Sequence, residues 1–346
     1  MNRLSDILLD WYARRGRDLP WRHTRDPYRI WLSEVILQQT RVAQGMEYYL
    51  RFTERFPDVG ALAAASEDEV LRLWQGLGYY SRARNLHAAA REVVAKYGGR
   101  FPGTYDEVRA LRGVGDYTAA AVCSAAYDLP CVAVDGNVYR VLARLFDLDE
   151  PTDTTAGRRT FAALAQSQLD ISRPGLCNQA LMDFGALCCT PARPCCGECP
   201  LAERCLALAA GTVALRPVKR GRTETRDRWF NYLHITVGDR TLLRRREGRD
   251  IWRGLYEFPL VETPAAADFA ELVCTDAFRE AVGDARWHLM RSVGMPLHRL
   301  SHQTLHATFH RLTIDSAGAF PSVPTSGLGT YAVPRLLERY LIKYQM

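Results

Sequence analysis

Lysine is almost missing from this chain. Of 45 Lys and Arg residues only Lys96, Lys219 and Lys343 are lysine. No lysine nucleophile is therefore available anywhere between Lys96 and Lys219. The cationic surface is guanidinium, whose planar fork suits bidentate contact with phosphate. Long apolar runs are missing too. No stretch approaches the ~18 consecutive apolar residues of a membrane-crossing helix. The opening MNRLSDILLDWYARRG is amphipathic and lacks a signal-peptide apolar core, so the expected location is the cytoplasm. No internal repeat is seen. At 47% hydrophobic and 24% charged residues, collagen-like, disordered and membrane classes are excluded. A length of 346 residues, at about 150 per domain, suggests two domains.

The net charge of +6 is unevenly placed. Residues 1–215 hold 25 basic and 25 acidic residues, and 216–346 hold 20 and 14. The pattern changes at the same place. Up to about residue 210 apolar residues recur at helical spacing, as in Leu4, Ile7, Leu8 and Trp11. The same holds for Ile30, Trp31 and Leu37, and for Val42, Met46, Tyr49 and Phe52. Further helices are expected over 67–73, 81–97, 105–111, 117–127, 138–145 and 155–169, punctuated by Gly and Pro. Residues 1–212 therefore read as an all-α domain. Residues 213–228 are basic, with Gly and Pro, and read as a linker. Beyond it, 230–237 alternates, Gly238-Asp239 is a two-residue turn and 241–245 continues as a strand. A helix is expected over 266–282, one or two strands over 297–314 and a helix over 333–344. Residues 229–346 thus read as an α+β domain.

Six of ten cysteines crowd between Cys188 and Cys205. In a reducing compartment clustering points to metal, not disulfides. The run Cys189-x6-Cys196-x2-Cys199-x5-Cys205 supplies four thiolates for a [4Fe–4S] cluster or a structural zinc. A single C-x2-C pair with longer flanking gaps favours the cubic cluster. Cys188 and Cys195 stand beside two members of the set, so spacing alone leaves the ligands ambiguous.

Two carboxylates are placed differently. Glu34 shares a helix face with Ile30, Trp31 and Leu37. Burial there raises its pKa and suits a general acid at neutral pH. Asp135 follows the apolar Val132-Ala133-Val134 and precedes a helix. As an N-cap its pKa is expected to be lowered by backbone donors and the helix dipole, leaving it ionised. An acid beside a persistent anion is the division of labour that cleaves a glycosidic bond through a cationic sugar. A third element, Leu111-Arg112-Gly113-Val114-Gly115-Asp116-Tyr117, is a tight turn opening a helix, where backbone N–H groups favour an anion.

The hairpin and the cysteine spacing together resemble the helix-hairpin-helix DNA glycosylases with an iron–sulfur cluster, over roughly residues 5–212. W-L-S-E-V-I-L-Q-Q-T at 31–40 and V-D-G-N-V-Y-R-V-L-A-R-L at 134–145 resemble signature blocks of the MutY-type adenine glycosylases. The resemblance implies that Glu34 protonates adenine at N7 and that Asp135 stabilises or traps the sugar cation, with Asn137 and Tyr117 orienting the site. It implies that Gly113, Val114 and Gly115 grip DNA backbone. Trp21, Arg22 and Gln179 match positions lining the base pocket, and Gln39 with Thr40 and Tyr79 matches loops that open the duplex. In bifunctional relatives a Lys stands where this chain has Tyr117. An amine there forms a Schiff base and cuts the strand, so little or no lyase activity is expected here.

Trp252-Arg253-Gly254-Leu255-Tyr256-Glu257-Phe258-Pro259 resembles the C-terminal domain of the same family, which is Nudix-like. No Glu-rich metal helix follows it, so a recognition module is expected in place of a pyrophosphatase. Leu300-Ser301-His302 resembles the family's F-S-H element for 8-oxoguanine, with Leu where Phe is usual. The implied enzyme removes adenine from 8-oxoguanine:adenine or guanine:adenine pairs in double-stranded DNA, leaving an abasic site. It would act as a monomer, without membrane attachment, on the nucleoid in a bacterium. The rival readings are a pyrimidine-specific relative, opposed by Tyr117 and the second domain, and a silent DNA-binding module, opposed by Glu34 and Asp135. His298, His302, His306 and His310, four apart, leave open a metal-binding row.

Overall fold

A computed structural model of the chain describes residues 3–221, 225–316 and 320–344. By contacts the chain divides into two compact units, residues 1–64 with 85–221, and residues 65–84 with 222–346. Residues 222–224, within the stretch read as a linker, lie outside the described residues.

The first unit is helical, and among residues 3–221 no strand is described. Its helices are α1 (Leu4–Arg15), α2 (Pro27–Leu37), α3 (Val42–Arg55) and α4 (Val59–Ala64). The segment 65–84 carries α5 (Glu67–Trp74) and leads into α6 (Ser81–Tyr97). There follow α7 (Tyr105–Ala110), α8 (Asp116–Tyr127), α9 (Gly136–Leu145), α10 (Thr155–Ser167), α11 (Pro174–Leu187) and the short α12 (Leu206–Ala209). Short polar caps set several starts. Asp26 accepts from the Tyr28 amide ahead of Pro27, and Thr104 and Thr154 cap α7 and α10, each satisfying an amide the helix leaves open. α8 is almost wholly buried because its alanines let neighbours approach, and α2 and α11 pack on it. α11 also packs on α1 and α9. The first part of the expected linker is tied down here, where the Val218 carbonyl accepts from Thr152 N at 3.1 Å.

The second unit is built on a seven-stranded mixed sheet. Its strands are β1 (Arg226–Val237), β2 (Arg240–Leu242), β5 (Leu260–Thr263), β6 (Trp287–Gly294), β7 (His298–Arg299), β8 (Gln303–Ile314) and β9 (Ser322–Pro324). β3 (Arg244–Arg245) and β4 (Tyr256–Glu257) form a separate pair. β1 and β8 run parallel through the centre, from Arg226 against Gln303 to Thr236 against Thr313. Val237 faces Arg240 across the expected Gly238-Asp239 turn, and Gly238 takes φ +56°, the left-handed conformation such a turn requires. Strand alternation divides the core. Leu233, Ile235 and Leu312 pack with Leu272 and Phe278 of α13 (Phe269–Val273) and α14 (Asp276–Val282). Tyr232, His234 and Phe309 face Phe258 and Tyr340 of α15 (Arg335–Lys343), with Phe309 and Tyr340 stacked at 4.0 Å.

The sequence reading differs from the structure in several places. The single helix expected over 266–282 is two short ones, because Asp268 and Thr275 each cap a new start. β1 begins at Arg226, inside the expected linker. α4, α11, α12, β4, β5, β6 and β9 were not foreseen, and the strand expected over 241–245 is divided between β2 and β3. The histidine row does not converge: His306 stacks on Trp229 and bonds Asp227, His310 bonds Ser292, and His298 meets Trp252.

Candidate active site

α2, α8, α9 and α11 bring their side chains around one cavity of about 630 Å³ in the first unit. Glu34, Tyr117, Asp135, Asn137, Trp21, Arg22, Thr40 and Gln179 all line it. Most of the residues expected from sequence to surround a base are therefore together, although they come from positions up to 158 apart.

Glu34 projects from α2, whose Ile30, Trp31 and Val35 are buried. Desolvation dominates its carboxyl, which is pushed up to about 7. Asp135 raises it further, while the Tyr117 hydroxyl and Arg22 oppose. That hydroxyl donates to Glu34 Oε2 at 2.8 Å. Burial and the neighbouring carboxylates hold Tyr117 well above its usual range, so it remains a donor.

Asp135 is the N-cap of α9. Its Oδ1 accepts from Asn137 N at 2.9 Å and Val138 N at 2.8 Å, and Oδ2 accepts from Asn137 Nδ2 at 2.7 Å. The expected lowering of its pKa is corrected. Burial outweighs these donors and Arg140, so the carboxyl stands above its ordinary value. The N-cap geometry is as expected; the depth of the cap was not visible in the sequence.

Three supporting groups were also missed. Asp183 is fully buried on α11 and accepts from Arg22 Nη1 and Nη2, each at 2.7 Å, and from Arg17 N and Nε at 2.9 Å. It thereby fixes Arg22 on the cavity wall near Glu34. The Tyr12 hydroxyl donates to Gln179 Oε1 at 3.0 Å, orienting that amide. Arg140 on α9 donates to Asn137 Oδ1 at 2.7 Å, to Gly185 O at 2.6 Å and to Cys189 O at 2.7 Å. No periodicity marks these residues, because their partners are remote in sequence.

The other expected residues lie elsewhere. Gly113 adopts φ +78°, where a Cβ would meet Asn85 Cβ at 2.6 Å, and Gly115 is the N-cap of α8. Val114 is buried in this turn. Gln39 is exposed after α2 at φ +56°. Tyr79, Ser301 and His302 line a second cavity of about 680 Å³, within the second unit, together with Trp252 and Arg84. The Tyr79 phenol hydrogen-bonds the Ser301 hydroxyl.

The cysteines gather in the first unit. Cys188, Cys189, Cys195, Cys196, Cys199 and Cys205 line one small space with Arg144. Arg144 donates to Cys189 Sγ at 3.4 Å and to Thr190 O at 2.7 Å, bracing the loop. Among the described residues no three His, Cys, Asp or Glu side chains are arranged to hold a metal ion. The donor chemistry fits: every potential ligand there is sulfur, the set that soft iron–sulfur or zinc centres select. No described helix is long and apolar enough to cross a membrane.

Residues 32–164 match the model of the HhH-GPD superfamily of base excision DNA repair proteins, and residues 231–343 that of the NUDIX domain. The chain is 34% identical to the adenine DNA glycosylase of Mus musculus over 92% of this chain and 72% of the mouse protein. It is 33% identical to that of Homo sapiens, covering 92% and 68%. With that of Buchnera aphidicola subsp. Baizongia pistaciae it shares 34%, covering 73% and 72%. Among solved structures, a thermostable thymine-DNA glycosylase aligns with TM-score 0.56 and 30% identity over 60% of this chain and 95% of that one. An endonuclease III–DNA complex aligns with TM-score 0.52 and 24% identity over 60% and 94%, a likeness of fold.

Proposed function

This chain belongs to the adenine DNA glycosylases, and from that premise we propose that it excises adenine paired with 8-oxoguanine or guanine by an acid–anion mechanism without strand cleavage. That it is a base excision repair hydrolase acting on adenine in DNA follows from the family. What carries the finer reading is a carboxyl held near neutrality, Glu34, facing a second carboxylate, Asp135, across a cavity.

An extruded adenine enters the cavity. Glu34, protonated below about pH 7, delivers its proton to N7, and the base leaves as a neutral group. Tyr117 keeps the Glu34 carboxyl aimed by its hydrogen bond. Asp135, whose oxygens are held by three N–H donors, stabilises positive charge at C1′ in its ionised form, and a preorganised anion there needs no reorganisation as charge develops. Water then adds to C1′, giving an abasic site. Asn137 keeps Asp135 fixed, and Arg140 keeps Asn137 fixed. With Tyr117 in the hairpin position there is no amine for a Schiff base. Ser301 and His302 read the opposite 8-oxoguanine through hydroxyl and imidazole groups, with Tyr79 and Gln39 holding the gap and Gly113, Val114 and Gly115 holding the backbone. Cys189, Cys196, Cys199 and Cys205 would hold a [4Fe–4S] cluster, whose role would be to order the loop to which Arg140 and Arg144 are bonded. The enzyme acts as a monomer in the cytoplasm, on the nucleoid in a bacterium.

Single-turnover excision tests this reading on duplexes with one 8-oxoguanine:adenine, guanine:adenine or thymine:adenine pair. Adenine should be released from the first two and spared in the third, with no strand break before alkali. Glu34→Gln should bind the first duplex and release no base. Glu34→Gln activity within a few-fold of wild type, or cleavage of the thymine pair, would refute it.

A further inference from the structure

Two cysteines in the cluster loop have no place in the four-ligand set, and one of them lies inside it. Cys188 is buried and lines the same small space as Cys189, Cys199 and Cys205. Cys195 also lines this space, but from an exposed position. The backbone explains how adjacent residues both reach the site. Cys188 N and Cys189 N donate to one carbonyl, Phe184 O, at 2.9 and 2.8 Å. Cys188 still makes the regular i to i−4 bond, and Cys189 makes an i to i−5 bond to the same carbonyl, so the helix winds off between them. The two adjacent thiols thus line one shared space at a helix end, where backbone groups lack fixed partners. Arg144, bonded to Cys189 Sγ and to Thr190 O, holds the loop in either case.

We infer that Cys188 is a reserve ligand, which takes over a cluster iron when Cys189 is lost or modified. This rests on the reading of the cysteine loop as a cluster site. The exchange moves no electrons. The Cys188 thiol gives up its proton to solvent as its sulfur binds iron; in Cys189→Ser there is no thiolate to displace, and an alkylated Cys189 leaves the iron as a neutral thioether, its new S–C bond replacing the reagent's bond to its leaving group. Cys199 and Cys205 have no cysteine beside them, and Cys195, beside Cys196, is exposed, so the inference is confined to the Cys189 corner.

The test measures iron per chain and visible cluster absorption in full-length protein purified without oxygen. Cys189→Ser should keep at least about half the wild-type iron, and Cys188→Ser alone should keep all of it. Cys188→Ser/Cys189→Ser and Cys205→Ser should each fall below about a tenth, since a missing thiolate removes a strong ligand. Loss of iron from Cys189→Ser as complete as from Cys205→Ser overturns the inference, as does loss from Cys188→Ser alone. Iron-free wild type would instead refute the cluster reading. If Cys189→Ser is insoluble, stepwise thiol alkylation of the wild-type protein decides. Cluster absorption outlasting the modification of Cys189 supports the inference, and loss in step with it contradicts it.

Discussion

Burial of Glu34 arms it as an acid and weakens the fold once it ionises. Its carboxyl moves from 4.5 to about 7 on folding. Below the unfolded value the acid is neutral in both states and costs nothing. As pH rises through the folded value, the native state must ionise a buried group and stability is lost, by at most about 3 kcal/mol. Glu34→Gln should therefore melt above wild type at about pH 8 and converge with it only below about pH 4, in thermal unfolding followed by circular dichroism. Tyr117→Phe removes the donor that lowers the Glu34 pKa. The alkaline limb of its excision profile should move to higher pH while the rate drops about tenfold. At this scale the sequence is informative about chemistry and poor about depth. A Glu on an apolar helix face and an Asp ahead of a helix are legible. That Asp135 sits deep enough for burial to outweigh its donors is not. Asp183 is invisible too, since Arg22 lies 161 residues away.

At the scale of elements, α9 joins the parts of the site. It starts at Asp135, carries Asn137, and turns Arg140 and Arg144 toward the cysteine loop. α11 must approach closely for this, and Gly185 permits it. A Cβ at 185 would lie 2.6 Å from Asn137 Cβ and 2.8 Å from Asn137 O. Gly185→Ala should cost about 1–3 kcal/mol by overpacking, and should slow excision more than it weakens duplex binding, because Asn137 is the group displaced. α11 escaped the sequence reading because it is buried nearly all round, from Pro174 and Gly175 to Phe184 and Gly185, so its periodicity is blurred. β6 escaped for the opposite reason: most of it is exposed, leaving no clean alternation. In β1 and β8, His234 and His310 are buried, and desolvation lowers both from 6.5 to about 4. Each is depressed on folding, so stability is intact above the unfolded value and is lost as pH falls through the folded one. The second unit should therefore unfold in mild acid, and His310→Asn should reduce that loss in a pH series of denaturant melts.

The whole molecule carries two of the cavities described above, one lined by the paired carboxylates and one by Ser301 and Tyr79. The segment 65–84 belongs with the second. Arg245 pairs with Glu67 at 2.7 Å, Tyr256 donates to Asp68 at 3.1 Å, and Gln75 donates to Glu338 at 3.1 Å. No composition shift marks this segment within the helical half, so a reading along the chain does not separate it. A fragment ending at residue 221 leaves it without these partners. If Ser301 and His302 have the proposed role, its preference for 8-oxoguanine:adenine over guanine:adenine should fall about tenfold, and single-turnover rates on the two duplexes measure it. The most direct measurement is the pH dependence of single-turnover adenine release by the wild-type enzyme. The rate should be level below a midpoint of about 7 and fall about tenfold per pH unit above it. A rate that stays level or climbs through that range would mean that no proton held by Glu34 is delivered to the departing base.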